Sequence, residues 1–359
     1  MNSLSPRFHE LTVKDVTKET KDAVSVAFDV PPQLADAYRF EPGQYLTLKA
    51  DIAGESVRRS YSISSGPFDA ELRIAIKAVE GGVFSTWANA ELKAGHAIDV
   101  MTPTGRFGLS RRTGSDRVLV GFAAGSGITP ILSIMRGALD GDRDGRFFLF
   151  YGNKSSEDIL YKGALEELKD RYTGRLSVFH VLSREEQDIP VLNGRLDGAK
   201  ARILLRSIVP WEIVDDVYIC GPEEMIADLE ATCRAIGIEP DRIHSERFVS
   251  AHGGKRKPVA VPRGDAATHV ASLVLDGKRR DVLVADGETI LDAALRAGLD
   301  LPYACKGGMC STCRAKVAEG ETAMEVNYSL EPWELKAGFV LTCQARPVSD
   351  RVVIDFDAV

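Results

Sequence analysis

The rhythm of apolar and polar positions changes twice along the chain. From about Phe8 to Arg112, short alternating apolar stretches lie between turn signals. They are Ala23-Val-Ser-Val-Ala-Phe-Asp-Val, Gln44-Tyr-Leu-Thr-Leu-Lys, Leu72-Arg-Ile-Ala-Ile-Lys-Ala-Val and Ala97-Ile-Asp-Val-Met. Short strands at this spacing predict an antiparallel six-stranded β-barrel. Between Asp116 and Phe248 the texture shifts. Apolar runs at 118–122, 147–151, 176–182 and 217–219 alternate with helical periodicity at 130–139, 157–171 and 223–236. That alternation predicts a doubly wound α/β parallel sheet with helices on both faces. Residues 250–267 are polar, basic and rich in Gly and Pro, which reads as a linker. Beyond them, two short strands (271–275 and 280–285) precede a helix (289–297), a cysteine loop and late strands. The expected division is therefore 1–112, 113–249, a linker at 250–267, and 268–359.

Composition narrows the class without choosing a function. The 359 residues are enough for two to three domains, and 44% hydrophobic with 27% charged residues is ordinary globular usage. Apolar runs such as Val118 to Ala124 fall far short of a membrane span, and Met1-Asn-Ser-Leu-Ser-Pro-Arg lacks the apolar core of a secretory signal. The expectation is a cytoplasmic protein with no membrane partner. A net charge of −7 offers no broad cationic face for phosphates, so a nucleic-acid partner is not expected.

The six cysteines change the picture. Cys220 and Cys233 stand apart, whereas Cys305, Cys310, Cys313 and Cys343 crowd into the last fifth of the chain. The spacing C-x4-C-x2-C, then twenty-nine residues to Cys343, is the plant-type ferredoxin pattern of four thiolates around a [2Fe–2S] cluster. Zinc sites usually show paired C-x2-C units, and one such pair occurs here. Gly307 and Gly308 supply the permissive dihedrals of a tight loop, and small Ser311 and Thr312 let the backbone approach the sulfurs.

Two further constellations precede it. Arg58-Arg-Ser-Tyr-Ser-Ile-Ser ends a strand, and Glu80-Gly-Gly-Val-Phe-Ser-Thr-Trp then opens a helix whose N–H groups suit an anionic pyrophosphate. Val118-Leu-Val-Gly-Phe-Ala-Ala runs into Gly125-x-Gly127-x-x-Pro130, a dinucleotide turn with Pro in place of the third glycine. Cys220-Gly-Pro-Glu-Glu-Met follows another buried strand, and Glu246-Arg-Phe closes the region.

Together these motifs resemble the ferredoxin-NADP reductase superfamily, followed by a β-grasp [2Fe–2S] ferredoxin domain. The resemblance covers essentially the whole chain and implies FAD bound by the barrel. Arg59 would pair with the flavin diphosphate and Tyr61 would pack along the isoalloxazine. Ser62 would bond near the reactive nitrogen, and Ile76, Gly82, Val83 and Ser85 would line the site. Gly125, Gly127, Thr129, Gly221, Pro222 and Met225 would hold the nicotinamide coenzyme. Cys220 and Glu246, with Ser62, would shape hydride transfer. Phe248 stands where plant-type members often have Tyr, which leaves its stacking role open.

Coenzyme choice turns on Ser183-Arg184, where NADPH-using relatives place a Ser and an Arg around the 2′-phosphate; Glu185 and Glu186 pull toward NADH. NADPH is the expected coenzyme. Nicotinamide gives two electrons together and a [2Fe–2S] centre takes one, so a flavin between them is a sensible wiring. The resemblance of the cluster segment implies a di-iron multicomponent oxygenase as acceptor. A Rieske oxygenase, another di-iron hydroxylase or a hybrid-cluster protein would be served by the same motifs, and a non-catalytic carrier is the alternative of another class. Residues 265–359 carry ten Lys or Arg and fifteen Asp or Glu, a net of −5, which suits steering toward a basic acceptor as well as plain solubility.

Overall fold

Alternation along the first hundred residues does build an antiparallel sheet. Its strands are β1 (Phe8–Thr20), β2 (Ala23–Asp29), β3 (Tyr45–Ile52), β4 (Glu55–Ser62), β5 (Leu72–Lys77) and β6 (Ala97–Met101), with helix α1 (Val83–Glu91) before the last. The order is β4-β3-β6-β1-β2-β5, and an Ile63–Ile74 bridge ties the two edges together, closing one end of the barrel. Val24, Val26 and Phe28 of β2 alternate inward to meet Leu46, Leu48, Ile74, Ile76 and Val100 in the barrel core. β1 is mostly polar and carries too weak an apolar pattern to be predicted; a strand with one solvated face needs few apolar residues. The computed structural model describes residues 7–110, 116–248 and 267–358.

The next segment winds both ways from its first strand. β7 (Val118–Ala124), α2 (Ile128–Gly141), β8 (Arg146–Asn153), α3 (Lys162–Arg171) and β9 (Leu176–Leu182) run outward in one direction. After α4 (Gly198–Ile208), β10 (Val214–Gly221), α5 (Glu223–Ala235) and β11 (Ile243–Arg247) extend the other edge, giving the parallel order β11-β10-β7-β8-β9. On β7, Val118, Val120 and Phe122 face the α4/α5 layer, while Leu119 and Ala123 face the α2/α3 layer. Burial on both faces is why these strands read as continuous apolar runs. The helix expected over 157–171 begins only at Lys162. A short 3-10 turn (Ser156–Asp158) and a left-handed Tyr161, φ 61°, occupy its first third.

The chain divides into two compact units. One consists of residues 10–57 and 61–248, so the barrel and the nucleotide sheet pack as one body; the other groups the C-terminal part with 7–9 and 58–60 among the described residues. In the latter, β12 (Ala267–Leu275), β13 (Lys278–Ala285), α6 (Ile290–Arg296), β14 (Arg314–Glu319), β15 (Thr322–Met324), α7 (Pro332–Lys336), β16 (Phe339–Leu341), β17 (Ala345–Pro347) and β18 (Arg351–Asp355) make a β-grasp. Its main sheet runs β13-β12-β18-β14-β16, with β12 and β18 parallel, and β15 pairs β17 separately. Thr289 caps α6 by accepting from the Asp292 N–H, and Ile290, Leu291, Ala293 and Ala294 bury against the sheet. The expected linker lies outside the described residues, except Ala267, which opens β12. No helix among the described residues is long and apolar enough to cross a membrane.

Candidate active site

In a sheet that winds both ways, strand order reverses beside the first strand, and ligands bind beyond the carboxyl ends there. Here that crevice lies between β7 and β10. It is bordered by Gly125 and Gly127 on one side and by Cys220, Gly221 and Pro222 on the other. Gly127 is demanded by contact: a Cβ on it would sit 2.2 Å from the Cys220 carbonyl oxygen. Gly125 is demanded by conformation, at φ 53°, with open space where its Cβ would point. No side chain caps the turn or the start of α2. Backbone donors there suit an anionic ligand. Thr129 is buried and its hydroxyl donates to the Ser126 carbonyl at 2.9 Å, so it shapes the turn. The terminal methyl of Met225 lies over Gly221, 2.4 Å from where a Cβ would sit.

Register brings the three expected hydride-transfer residues together. β10 and β11 pair in parallel with Cys220 opposite Glu246, and Ser62 Oγ, at the end of β4, donates to Glu246 Oε2 at 3.2 Å. Cys220 is fully buried. Burial, then the Glu246 charge, pushes its thiol well above the ordinary range, so it stays protonated. Glu246 is half-exposed as a residue, but its carboxyl is hemmed in. Burial raises it to about 8, against the hydrogen bond from Ser62. Phe248 follows just beyond the end of β11 and is exposed.

On the barrel side, Arg59 is exposed on β4 and spends one donor on the Arg58 carbonyl, 2.7 Å away. Tyr61 is half-buried and packs on Phe84 of α1, ring centroids 5.7 Å apart. α1 starts at Gly82 without a side-chain cap, leaving its first N–H groups for an outside anion. Val83 is exposed there. The Ser85 hydroxyl is turned inward, accepting from Val79 N and donating to the Gly82 carbonyl, both at 3.3 Å. The Ile76 side chain is buried in the barrel core, and its backbone carbonyl accepts from Asn89 Nδ2. These features fit a bound dinucleotide flavin: an uncapped helix start, a cation on the strand and an aromatic beside it.

At the far edge of the crevice, Ser183 and Arg184 are exposed past the end of β9. Glu185 is turned away and accepts from the Ser156 N–H at 2.7 Å, which holds its carboxyl below the usual range. One of the two acidic residues that blur coenzyme choice in the sequence, Glu185, is thus occupied at the β8–α3 connection.

In the C-terminal unit the thiols fall in two pairs, Cys305 with Cys310 and Cys313 with Cys343, each linked by a thiol hydrogen bond. The bond from Cys310 holds the Cys305 thiol down, and the bond from Cys313 holds Cys343 down. Further donors converge: Gly307 N on Cys305 Sγ (3.2 Å), Thr312 Oγ1 on Cys310 Sγ (3.2 Å) and Gln344 Nε2 on Cys343 Sγ (3.3 Å). Such donors stabilise thiolate charge. Among the described residues no three His, Cys, Asp or Glu side chains gather as a single-ion site would require. Two pairs suit two bridged irons, and the donor set fits a [2Fe–2S] cluster. The loop's left-handed positions are Lys306, Gly308 and Ser311 rather than Gly307. Cys343 arrives because the Thr342 N–H and hydroxyl both bond the Cys313 carbonyl, at 3.1 and 3.0 Å. Thr342 and Gln344, the neighbours of Cys343, are contributors that motif spacing does not single out.

Comparison with known proteins agrees with this geometry. Residues 10–108 match the oxidoreductase FAD-binding domain, 122–231 the oxidoreductase NAD-binding domain, and 273–348 the 2Fe-2S iron-sulfur cluster binding domain. The chain belongs to the family of ferredoxin-NADP-reductase-like oxidoreductases that carry their own [2Fe–2S] domain, and it is an NAD(P)H-dependent FAD/[2Fe–2S] reductase. It is 45% identical over 352 residues, 98% of both chains, to a subunit of the 1,2-phenylacetyl-CoA epoxidase of Escherichia coli (strain K12). It is 36% identical, over 97% of both chains, to the ferredoxin reductase component of 3-ketosteroid-9-alpha-monooxygenase from Mycolicibacterium smegmatis. Phthalate dioxygenase reductase shares the fold, with a TM-score of 0.58, 21% identity, and coverage of 97% of this chain and 98% of that one.

Proposed function

We propose that this reductase serves a di-iron multicomponent oxygenase of the phenylacetyl-CoA epoxidase type, drawing on NADPH. What carries the reading is the end-to-end likeness to a component of that enzyme, 45% over 98% of both chains, cluster loop included. The epoxidase substrate would bind the oxygenase, not this chain. Bound coenzyme, flavin and cluster would together supply the conversion of a two-electron hydride donor into one-electron delivery.

The chain's own residues then have separate tasks. Arg59 and the open start of α1 would hold the flavin diphosphate, and Tyr61 would flank its ring. Gly125 and Gly127, with Gly221 and Pro222, would admit the coenzyme backbone to the crevice. Protonated Cys220 would be a neutral wall beside the transferred hydride, and Glu246 would hold a proton at its carboxyl near neutral pH, oriented by Ser62. Ser183 and Arg184 would take the 2′-phosphate while Glu185 stays on Ser156. The two thiol pairs, Cys305 with Cys310 and Cys313 with Cys343, would each ligate one iron.

Reconstitution tests the acceptor. Purified protein, NADPH and the phenylacetyl-CoA epoxidase oxygenase subunits should convert phenylacetyl-CoA to its epoxide, with NADH less effective. Coupled turnover with the 3-ketosteroid monooxygenase's oxygenase, and none with the epoxidase subunits, would overturn the reading.

A further inference from the structure

Where β4 runs out, three serines are each gripped by a different element of the nucleotide sheet. Ser62 Oγ meets Glu246 on β11, and Ser64 Oγ lies 2.7 Å from the Tyr161 hydroxyl ahead of α3. The Ser65 carbonyl accepts from Ser133 Oγ on α2 at 2.7 Å. Between them Ile63 is fully buried in the barrel and bridges Ile74, so the segment cannot rotate without opening the barrel.

The Tyr161–Ser64 bond touches none of the groups assigned to hydride transfer, yet it is made at a cost. Tyr161 adopts φ 61°, ψ 31°, a left-handed conformation that bulky residues avoid. Such strain persists where the surroundings over-determine it. Both partners are deeply buried, Ser64 at 1% and Tyr161 at 5% exposure. The Ser64 hydroxyl also lies 3.1 Å from the Arg73 carbonyl, so Ser64 can donate there while it accepts from Tyr161; either hydroxyl can be the donor in the bond between them. A glycine at 161 would relieve the backbone but would bring no phenol to the barrel.

We propose that Tyr161 is a positioning residue for hydride transfer: its hydroxyl anchors Ser64, two residues past the end of β4, so that Ser62, the last residue of that strand, is presented to Glu246, which lies opposite Cys220. Ser62 and Ser64 flank the pinned Ile63, so the loss of one anchor is felt at the other through the shared backbone. The inference rests on the roles proposed above for Ser62, Cys220 and Glu246.

The test uses full-length, FAD-loaded Tyr161→Phe, Ser64→Ala, the double variant and Ser64→Thr. Flavin bleaching by NADPH is followed in stopped flow, the flavin difference spectrum on titration with NADP⁺ is recorded, and thermal midpoints are measured. Tyr161→Phe and Ser64→Ala should each slow hydride transfer about tenfold or more and shrink the difference spectrum, while KM for NADPH stays within about twofold. The double variant should be no slower than the worse single one, because both delete the same bond. Ser64→Thr, which keeps the hydroxyl, should restore the rate. A lowered midpoint with wild-type rate and spectrum would overturn the proposal, as would multiplicative effects in the double variant. If Tyr161→Phe does not fold, Ser64→Ala and Ser64→Thr decide it. A Glu246→Gln variant with wild-type hydride transfer would instead sink the underlying assignment of the three residues.

Discussion

Glu246 illustrates how much a single carboxyl can carry. Its ordinary value of 4.5 rises to about 8 in the folded chain. Between those two values the native state keeps a proton that the unfolded state has released. Stability from this group is therefore present below pH 4.5 and declines as pH rises toward 8, with a slope of at most about 1.4 kcal/mol per pH unit, reduced by the residue's partial exposure. Glu246→Gln should flatten that decline, which urea melts from about pH 5.5 to about 8.5 would measure; parallel curves for the two proteins would contradict it. Arg184 offers a second residue-scale check. Replacing it with Ala should weaken binding of 2′,5′-ADP by about tenfold while leaving 5′-AMP unchanged, since a surface charge-assisted contact to phosphate is worth roughly 1–2 kcal/mol. Calorimetric titration with both nucleotides reads the difference, and equal losses would deny Arg184 its proposed role.

At the scale of elements, the connection from β7 to α2 separates two reasons for glycine. Gly127→Ala would drive a Cβ against backbone, 2.2 Å from the Cys220 carbonyl, and so push apart the ends of β7 and β10. Gly125→Ala meets nothing and costs about 1–2 kcal/mol of left-handed strain. Coenzyme binding should accordingly fall far more in the first variant than in the second, as a parallel titration with NADP⁺ would reveal. Much of this connection was legible beforehand: a continuous apolar strand into G-x-G-x-x-P carries its own geometry. The Glu157–Arg171 helix was legible in type but not in extent. The 3-10 turn, of which Asp158 is buried, and the left-handed Tyr161 answer to contacts with the barrel, which local periodicity does not register.

Across the whole molecule, one chain joins a flavin barrel, a nucleotide sheet and a cluster domain, so the activities that need each can be separated by mutation. Cys310→Ala should keep NADPH–ferricyanide activity, which needs the flavin site, and lose cytochrome c reduction, which needs the cluster. Iron and acid-labile sulfide analysis would accompany the assay. Equal loss of both activities would contradict passage of electrons from the flavin through the cluster. The fit of each site to its group is local: the thiol pairs lie within the β-grasp, and the switch-point crevice lies within the first unit.

What the chain's letters determined was everything that depends on spacing along the backbone. Four cysteines at C-x4-C-x2-C and beyond, a G-x-G-x-x-P turn after a buried strand, and R-x-Y-S before a Gly-Gly helix start are contiguous signals, and each lies within the matching family domain. Only the folded molecule decided which distant groups meet. The pairing of β10 with β11 put Cys220 opposite Glu246, the end of β4 delivered Ser62 to that carboxyl, and Thr342 drew Cys343 to Cys313. Ile76 was claimed by the core and Glu185 by the Ser156 amide. Such meetings come from strand register and burial, which sum the preferences of many residues far apart in the chain, and no short window of sequence holds that sum.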